Sequence, residues 1–298
     1  MISRWLRTLL ALELVALAAV AAFLMNGASP AMIAGLVIGV FPVLNFAVTV
    51  AIYVILRLYA RPSAVGSDFN SAYRWWSAVG ECLALLVQFT VIAPFERRWM
   101  GADLVRPLRA GRLPVLLVHG YLCNRGLWWW LRRGLRGNHL EVATLNLEPP
   151  FASIDHFVGQ LQQRIEALVA ETGAARVALV THSMGGLVAR AYLQHHGTAR
   201  VGKLVTIAAP HRGTEVARLG LGRNAREMEL GSIWLRRLDA SETPRIALAT
   251  LWSRVDEFVV PHDSAGLPGA PEHILPALGH IGLTWSAEVL RLLKEELA

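Results

Sequence analysis

The chain has 298 residues, 54% of them hydrophobic and 17% charged, with a mean hydropathy of +0.41. That is too apolar for an ordinary soluble domain and assigns part of the chain to lipid. A net charge of +7 and an isoelectric point near 10.1 fit anionic lipid better than nucleic acid, since neither a nucleic-acid-binding motif nor a broad basic face is present. Two cysteines, Cys82 and Cys123, leave no disulfide framework and no clustered thiolate metal site.

Residues 5–25 form an apolar run behind Arg4 and Arg7, long enough at 1.5 Å per residue to cross a hydrocarbon core of about 30 Å. A cleaved signal peptide is the alternative, disfavoured by Glu13 within the run and by the second hydrophobic span that follows at once. The short segment NGASP makes a turn, and residues 31–58 are a second span, with small residues Gly35 and Gly39 spaced for close helix approach. The two spans read as a transmembrane helical hairpin. Arg4 and Arg7 precede it while Arg57 and Arg61 close it, so the positive-inside rule puts both ends in the cytoplasm.

Residues 61–77 are polar and aromatic, with Tyr73, Trp75 and Trp76 suited to the headgroup level. The next apolar segment, 82–95, offers about 14 uncharged residues between Glu81 and Glu96, fewer than the ~20 of a spanning helix, and reads as interfacial or re-entrant. If it did span, the rest of the chain would face the periplasm. Arg97, Arg98, Arg106, Arg109 and Arg112 follow, each worth about 1 kcal/mol near an anionic surface, and they favour the cytoplasmic side of a bacterial-type inner membrane. Residues 1–112 are thus a multi-pass anchoring region.

From residue 113 the pattern alternates strands with helices, which predicts an α/β domain over 113–298 with a mostly parallel sheet covered on both faces. Residues 114–118 are its first strand, ending in His119 and Gly120. Trp128, Trp129 and Trp130 follow on a helix, where three adjacent positions cannot share one face. Residues 142–147 are a strand, and Ser153 caps a helix running to about residue 171.

The run RVALVTHSMGG, 176–186, reads as strand, sharp turn and helix, the form of a nucleophile elbow with Ser183 as nucleophile. Thr181 stands where the strict GxSxG motif has its first glycine. A strand over 204–208 ends in PHRGT, where His211 is a contact residue for substrate or a turn residue. Residues 213–243 are an apolar and charged insertion, either a small cap over an acyl site or a surface helix packed on the sheet. After a strand at 246–251, SRVDEFVVP places Asp256 in a loop, with Asp263 its rival as the acid. ALGHIGL then places His280 between glycines, and residues 285–297 close the chain as an amphipathic helix. The order Ser183, Asp256, His280 is that of α/β-hydrolases.

On these residues 113–298 resemble the bacterial lipases and esterases of the α/β-hydrolase superfamily. VTHSMGG and TIAAPHRGT resemble that family's elbow and the strand end after it, while GHIGLTWS resembles the histidine loop of its small, nearly lidless lipases. The resemblance implies an oxyanion hole of two backbone N–H groups, those of Tyr121 and Met184. It implies a serine hydrolase acting on lipid or acyl esters through an acyl-serine, with no cofactor and no metal. A thioesterase or acyltransferase on the same fold is the enzyme alternative, and a non-catalytic membrane interaction protein is the alternative from another class.

Overall fold

The computed structural model describes residues 1–59, 71–108, 111–137, 139–240 and 246–298. Arg61, Arg109, the side chain of Tyr73 and positions 241–243 of the insertion lie outside the described residues.

Helices α1 (Ile2–Leu24) and α2 (Pro30–Tyr59) pair as a hairpin, starting and ending within a few residues of the sequence-predicted bounds. Both are long and apolar enough to cross a membrane. Leu12, Val15, Phe23, Ile38, Val43 and Leu58 are exposed around them, a surface that water disfavours and lipid covers without cost. The open ends of the hairpin are fastened to the rest of the molecule. Asn124 donates to the Ser3 hydroxyl at 3.0 Å, Arg7 donates to the Pro94 carbonyl at 3.0 Å, and Trp5 packs on Phe151. At the other end, Leu56 is buried against Val216 and Val260. The tip of the hairpin therefore lies at the far end from the sheet.

Helix α3 (Ser71–Val87) runs without a break into a π-helical turn, Gln88–Ile92. This is longer than the 82–95 segment anticipated from the sequence. The stretch Trp75–Ile92 has the length and apolar character of a span, because the helix begins well before Glu81 instead of after it. One face, carrying Glu81, Cys82, Ala84, Leu85, Gln88 and Ile92, is buried. Helix α4 (Glu96–Met100) follows.

Among the described residues the sheet has six strands, all paired in parallel, in the order β2-β1-β3-β4-β5-β6: β1 Val115–Val118, β2 Val142–Leu145, β3 Val177–His182, β4 Val201–Ile207, β5 Ala247–Ser253 and β6 Glu272–Leu275. The short edge strand β6 has no counterpart in the sequence reading, since its residues EHIL show little apolar pattern. Alternation along β1 feeds both sides: Leu116 and Val118 join one core, Val115 and Leu117 the other. Helices α6 (Ile154–Thr172) and α7 (Met184–His196) cover the first face, α5 (Trp129–Arg136) and α10 (Ala287–Glu296) the second. Ser153 caps α6 by accepting the His156 N–H at 3.2 Å, and Ser286 caps α10 by accepting the Val289 N–H.

The insertion holds a 3₁₀ turn, Glu215–Leu219, and helices α8 (Arg223–Glu227) and α9 (Ile233–Asp239). α8 packs on α6 and α9 on α7, so of the two readings of residues 213–243 the described part follows the packed one.

Candidate active site

In an open parallel sheet the carboxyl ends of the strands and the loops beyond them form the ligand edge. The three residues singled out from the sequence all stand there. Ser183 follows β3 with φ 54° and ψ −128°, a left-handed conformation that L residues adopt only under strain. The strain is held by close packing on both sides of the turn. A Cβ on Gly120 would lie 2.7 Å from the Ser183 Cβ, and one on Gly185 would lie 2.6 Å from the Val118 carbonyl oxygen. Thr181, at the departure from the strict motif, is fully buried in the strand, where a β-branched residue packs as well as glycine.

Asp256, 2% exposed, sits in the loop after β5. One carboxylate oxygen accepts the N–H groups of Phe258 at 2.8 Å and Val259 at 3.1 Å, and the other meets Nδ1 of His280 at 2.8 Å. That bond puts the Nδ1 proton between the two residues and leaves Nε2 as the basic atom. The rival Asp263 is exposed and paired with Arg212 at 3.0 Å. It is not beside the histidine.

The buried histidines His119, His182, His211 and His262 each have a ring nitrogen beside a backbone or hydroxyl partner. His119 accepts the Leu147 N–H on Nε2 at 3.0 Å, so its proton resides on Nδ1 and points to the Gly120 carbonyl at 2.9 Å. Burial pushes its pKa down to about 4. His182 lies beside the His280 ring, with centroids 4.5 Å apart, and its Nε2 meets the His280 carbonyl at 3.1 Å. Burial, then the neighbouring His280, holds it well below the ordinary value. His211 is fully buried against the Thr206 hydroxyl at 3.0 Å, and burial depresses it as well. His262 meets the Val259 carbonyl.

One residue that touches the histidine loop escaped the sequence reading. Glu81, on the buried face of α3, accepts the N–H of Ile281 on one carboxylate oxygen and that of Gly282 on the other, both at 2.8 Å. The loop carrying His280 is thereby tied to a helix of the N-terminal region. Beside it the carboxyl of Glu257 is buried next to the acid loop. Burial first, then the charges of Glu81 and Asp256, hold Glu257 well above the usual carboxylate range and favour its neutral form. A charge before a short apolar run was the available signal for Glu81, and it reads equally well as the end of a span.

A cavity of about 460 Å³ joins these parts. Its domain side includes Gly120, Tyr121, His182, Ser183, Phe258 and His280, and the facing walls are α1, α2 and the end of α3 with the π-helical turn that follows it. None of its lining comes from the described part of the 213–243 insertion. Tyr121 instead anchors that insertion: its hydroxyl donates to the Leu221 carbonyl at 2.7 Å and accepts the Leu221 N–H at 2.8 Å. Met184 opens α7 with its side chain buried. Trp128 is core, edge-on to His182, while Trp129 lies between Trp99 and Trp285. The three tryptophans are absent from the cavity wall. Among the described residues no cluster of histidine, cysteine and carboxylate side chains has the makings of a metal site.

The family model for palmitoyl protein thioesterase matches residues 114–241. A triacylglycerol lipase of Pseudarthrobacter phenanthrenivorans is 35% identical over 117 residues, covering 36% of this chain and 36% of the relative. A triacylglycerol lipase of Burkholderia plantarii is likewise 35% identical over 117 residues, covering 36% of this chain and 32% of the relative. The chain thus spans about a third of the length of the curated relatives it matches. Among solved structures, mature Bacillus licheniformis lipase BlEst2 superposes with a TM-score of 0.58 at 16% identity, over 66% of this chain and 96% of that one. Aspergillus fumigatus lipase B does so with a TM-score of 0.50 at 19% identity, over 60% of this chain and 52% of that one. At such identities the likeness is one of fold.

Proposed function

We propose that this chain, which belongs to the lipase- and esterase-like α/β-hydrolases, is a membrane-anchored serine hydrolase that cleaves carboxylic esters of lipids. One observation carries the reading: Ser183 on its strained turn and His280 held by Asp256 share a cavity whose other walls are membrane-type helices.

A serine hydroxyl is a weak nucleophile until a base takes its proton. In the proposed reaction His280 Nε2 takes the Ser183 proton as Oγ attacks the ester carbonyl. Asp256 holds the ring's tautomer and stabilises the imidazolium. The backbone N–H groups of Tyr121 and Met184 receive the oxyanion, a contribution worth on the order of 10²–10³ in rate per donor. His280 returns the proton to the leaving alcohol, and water, activated by the same imidazole, then releases the acid from the acyl-serine.

The match to palmitoyl protein thioesterase supports a second reading, in which a thiol leaves instead of an alcohol. The acyl-serine is common to both, and an acceptor other than water would make the enzyme a transferase. The matched residues end before Asp256 and His280, so the likeness speaks for the elbow side of the site. Turnover of fatty esters, phospholipids and acyl thioesters by the full-length protein separates these readings, with Ser183→Ala as control. Ester cleavage that survives Ser183→Ala excludes this nucleophile, and thioester cleavage without ester cleavage selects the second reading.

The anchor orients the domain. Arg4, Arg7 and Arg57 stand at the end of the hairpin that touches the domain. Helix α3, long enough to span, instead buries its Glu81 face and bonds to the histidine loop, so we take it as no third crossing and assign the domain to the cytoplasmic face of the membrane, against anionic lipid. A reporter fused after Ala298 should be active in the cytoplasm. Periplasmic activity would reverse the assignment.

A further inference from the structure

The cavity beside Ser183 extends between two membrane-type helices, and the way they line it is regular. On α1 the lining positions are Leu6, Leu9, Leu10 and Glu13; on α2 they are Asn45, Val48, Thr49 and Ile52. Each set is spaced as one helical face. Seven residues at 1.5 Å each carry both faces about 10 Å away from the domain, from the level of Leu6 and Ile52 to that of Glu13 and Asn45. There the walls are joined: Asn45 Nδ2 donates to the Glu13 carboxylate at 2.8 Å and also to the Phe41 carbonyl of its own helix at 3.0 Å.

Up to that bridge the helix walls are apolar in effect. Thr49 donates its hydroxyl to the Asn45 carbonyl at 2.8 Å, and Thr90, at the end of α3, donates to the Leu86 carbonyl at 2.7 Å. Both hydroxyls are thus spent on their own helices. The wall is also open sideways. Leu9, Val48 and Ile52 line the cavity and are still 61%, 50% and 48% exposed, on helices whose outer surface is suited to lipid.

We infer that this cavity is a fatty-acyl site entered laterally from the bilayer, and that the Glu13–Asn45 bridge is its end stop, setting the chain length accepted at Ser183. The inference rests on the hydrolase reading above. An ester taken from water gains from each methylene that enters the apolar wall, and one already in the bilayer keeps an apolar environment as it moves in. Neither gains by pressing on a bonded carboxylate and amide that it cannot replace. Relative to water, each methylene seated is worth up to about fourfold in kcat/KM.

The test is the chain-length profile of p-nitrophenyl alkanoate hydrolysis by the full-length protein, compared with Glu13→Leu, Asn45→Leu and Leu10→Trp. Wild type should rise with chain length and then break. Removing either polar partner should move the break to longer chains, with at least a tenfold gain for esters just past the wild-type break relative to shorter ones. Leu10→Trp fills the cavity from α1 and should move the break to shorter chains, so the inference stays testable if a bridge variant fails to fold. A break that stays in place in all folded variants, or a wild type indifferent to chain length, overturns the end stop.

If the wild type neither turns over an ester nor reacts with a fluorophosphonate, the hydrolase reading has failed. A diazirine-bearing fatty acid still reads the site in that case. Crosslinks in residues 6–13 and 45–52 uphold acyl binding there, and crosslinks confined to other segments or absent altogether overturn it.

Discussion

The α/β domain and the N-terminal helices contribute to one cavity in opposite ways. The domain has fully buried strands and cores on both faces of its sheet, and it presents Ser183, Asp256 and His280 from three separate loops. In α1 and α2 the buried residues are Ile2, Ala21 and Leu56, and neither helix carries a catalytic motif. Even so, these helices and α3 supply most of the cavity wall, and α3 supplies the carboxylate that holds the histidine loop. On the proposed function, the reacting groups come from the region with a packed core, and the surroundings of the substrate come from the region whose exposed apolar surface is suited to lipid.

The largest effects should come from the domain. Ser183→Ala and His280→Ala should each lower ester turnover on the order of 10⁴-fold or more, and Asp256→Asn on the order of 10⁴-fold, without loss of fold by circular dichroism. Residual turnover near the wild-type level in any of them would remove that residue from the mechanism.

Next comes the test of whether the anchor reaches into the chemistry. Glu81→Ala leaves the buried Ile281 N–H and the part-buried Gly282 N–H without this acceptor, at about 1–3 kcal/mol for the buried one, beside the base. We expect kcat to fall by roughly 10- to 100-fold with KM little changed. Glu81→Gln, which retains one acceptor oxygen, should recover part of the loss. An equal fall in both variants accompanied by unfolding would make Glu81 a matter of stability alone.

Stability against pH sharpens the contrast further. His119 has its pKa lowered from 6.5 to about 4, so the unfolded chain binds the extra proton first as pH falls. Its contribution is complete above pH 6.5 and is lost between 6.5 and 4, roughly 3 kcal/mol in all, with His182 and His211 acting in the same direction. Glu257 works the other way. With its folded pKa raised, the unfolded chain ionises first, so stability falls as pH rises above about 4.5. Glu257→Gln should therefore be more stable than wild type at pH 8, with the gap closing toward pH 4.5 in thermal melts. A gap that does not vary with pH would show that the carboxyl is not held neutral.

The smallest effect belongs to the acid the structure leaves aside. Asp263→Asn removes an exposed ion pair with Arg212 and should change turnover by less than about twofold.

Local signals made much of the domain legible in the sequence. The β-branched run before Ser183 and the loop residues around Asp256 each mark a strand end within a few residues, and the glycines around His280 mark a loop. The two long apolar runs marked the hairpin equally well. Less could be read where the relevant partner is remote. Glu81 is two hundred residues from the amides it accepts, and a carboxylate at that point reads as the end of a lipid segment because its compensation comes from another part of the fold. The same reasoning cut α3 short at Glu81. The composition of the insertion at 213–243 left a cap and a packed surface helix equally open, and it could not show that the cavity is walled by α1, α2 and α3, whose apolar faces resemble any others in a membrane helix until the fold brings them over Ser183.

The most direct measurement is labelling of the full-length protein in membranes by an alkyl fluorophosphonate, followed by peptide mapping. The account predicts a single modified residue, Ser183, and none in His280→Ala under the same exposure. A folded wild-type protein that stays unlabelled, or is labelled at another serine, would contradict it.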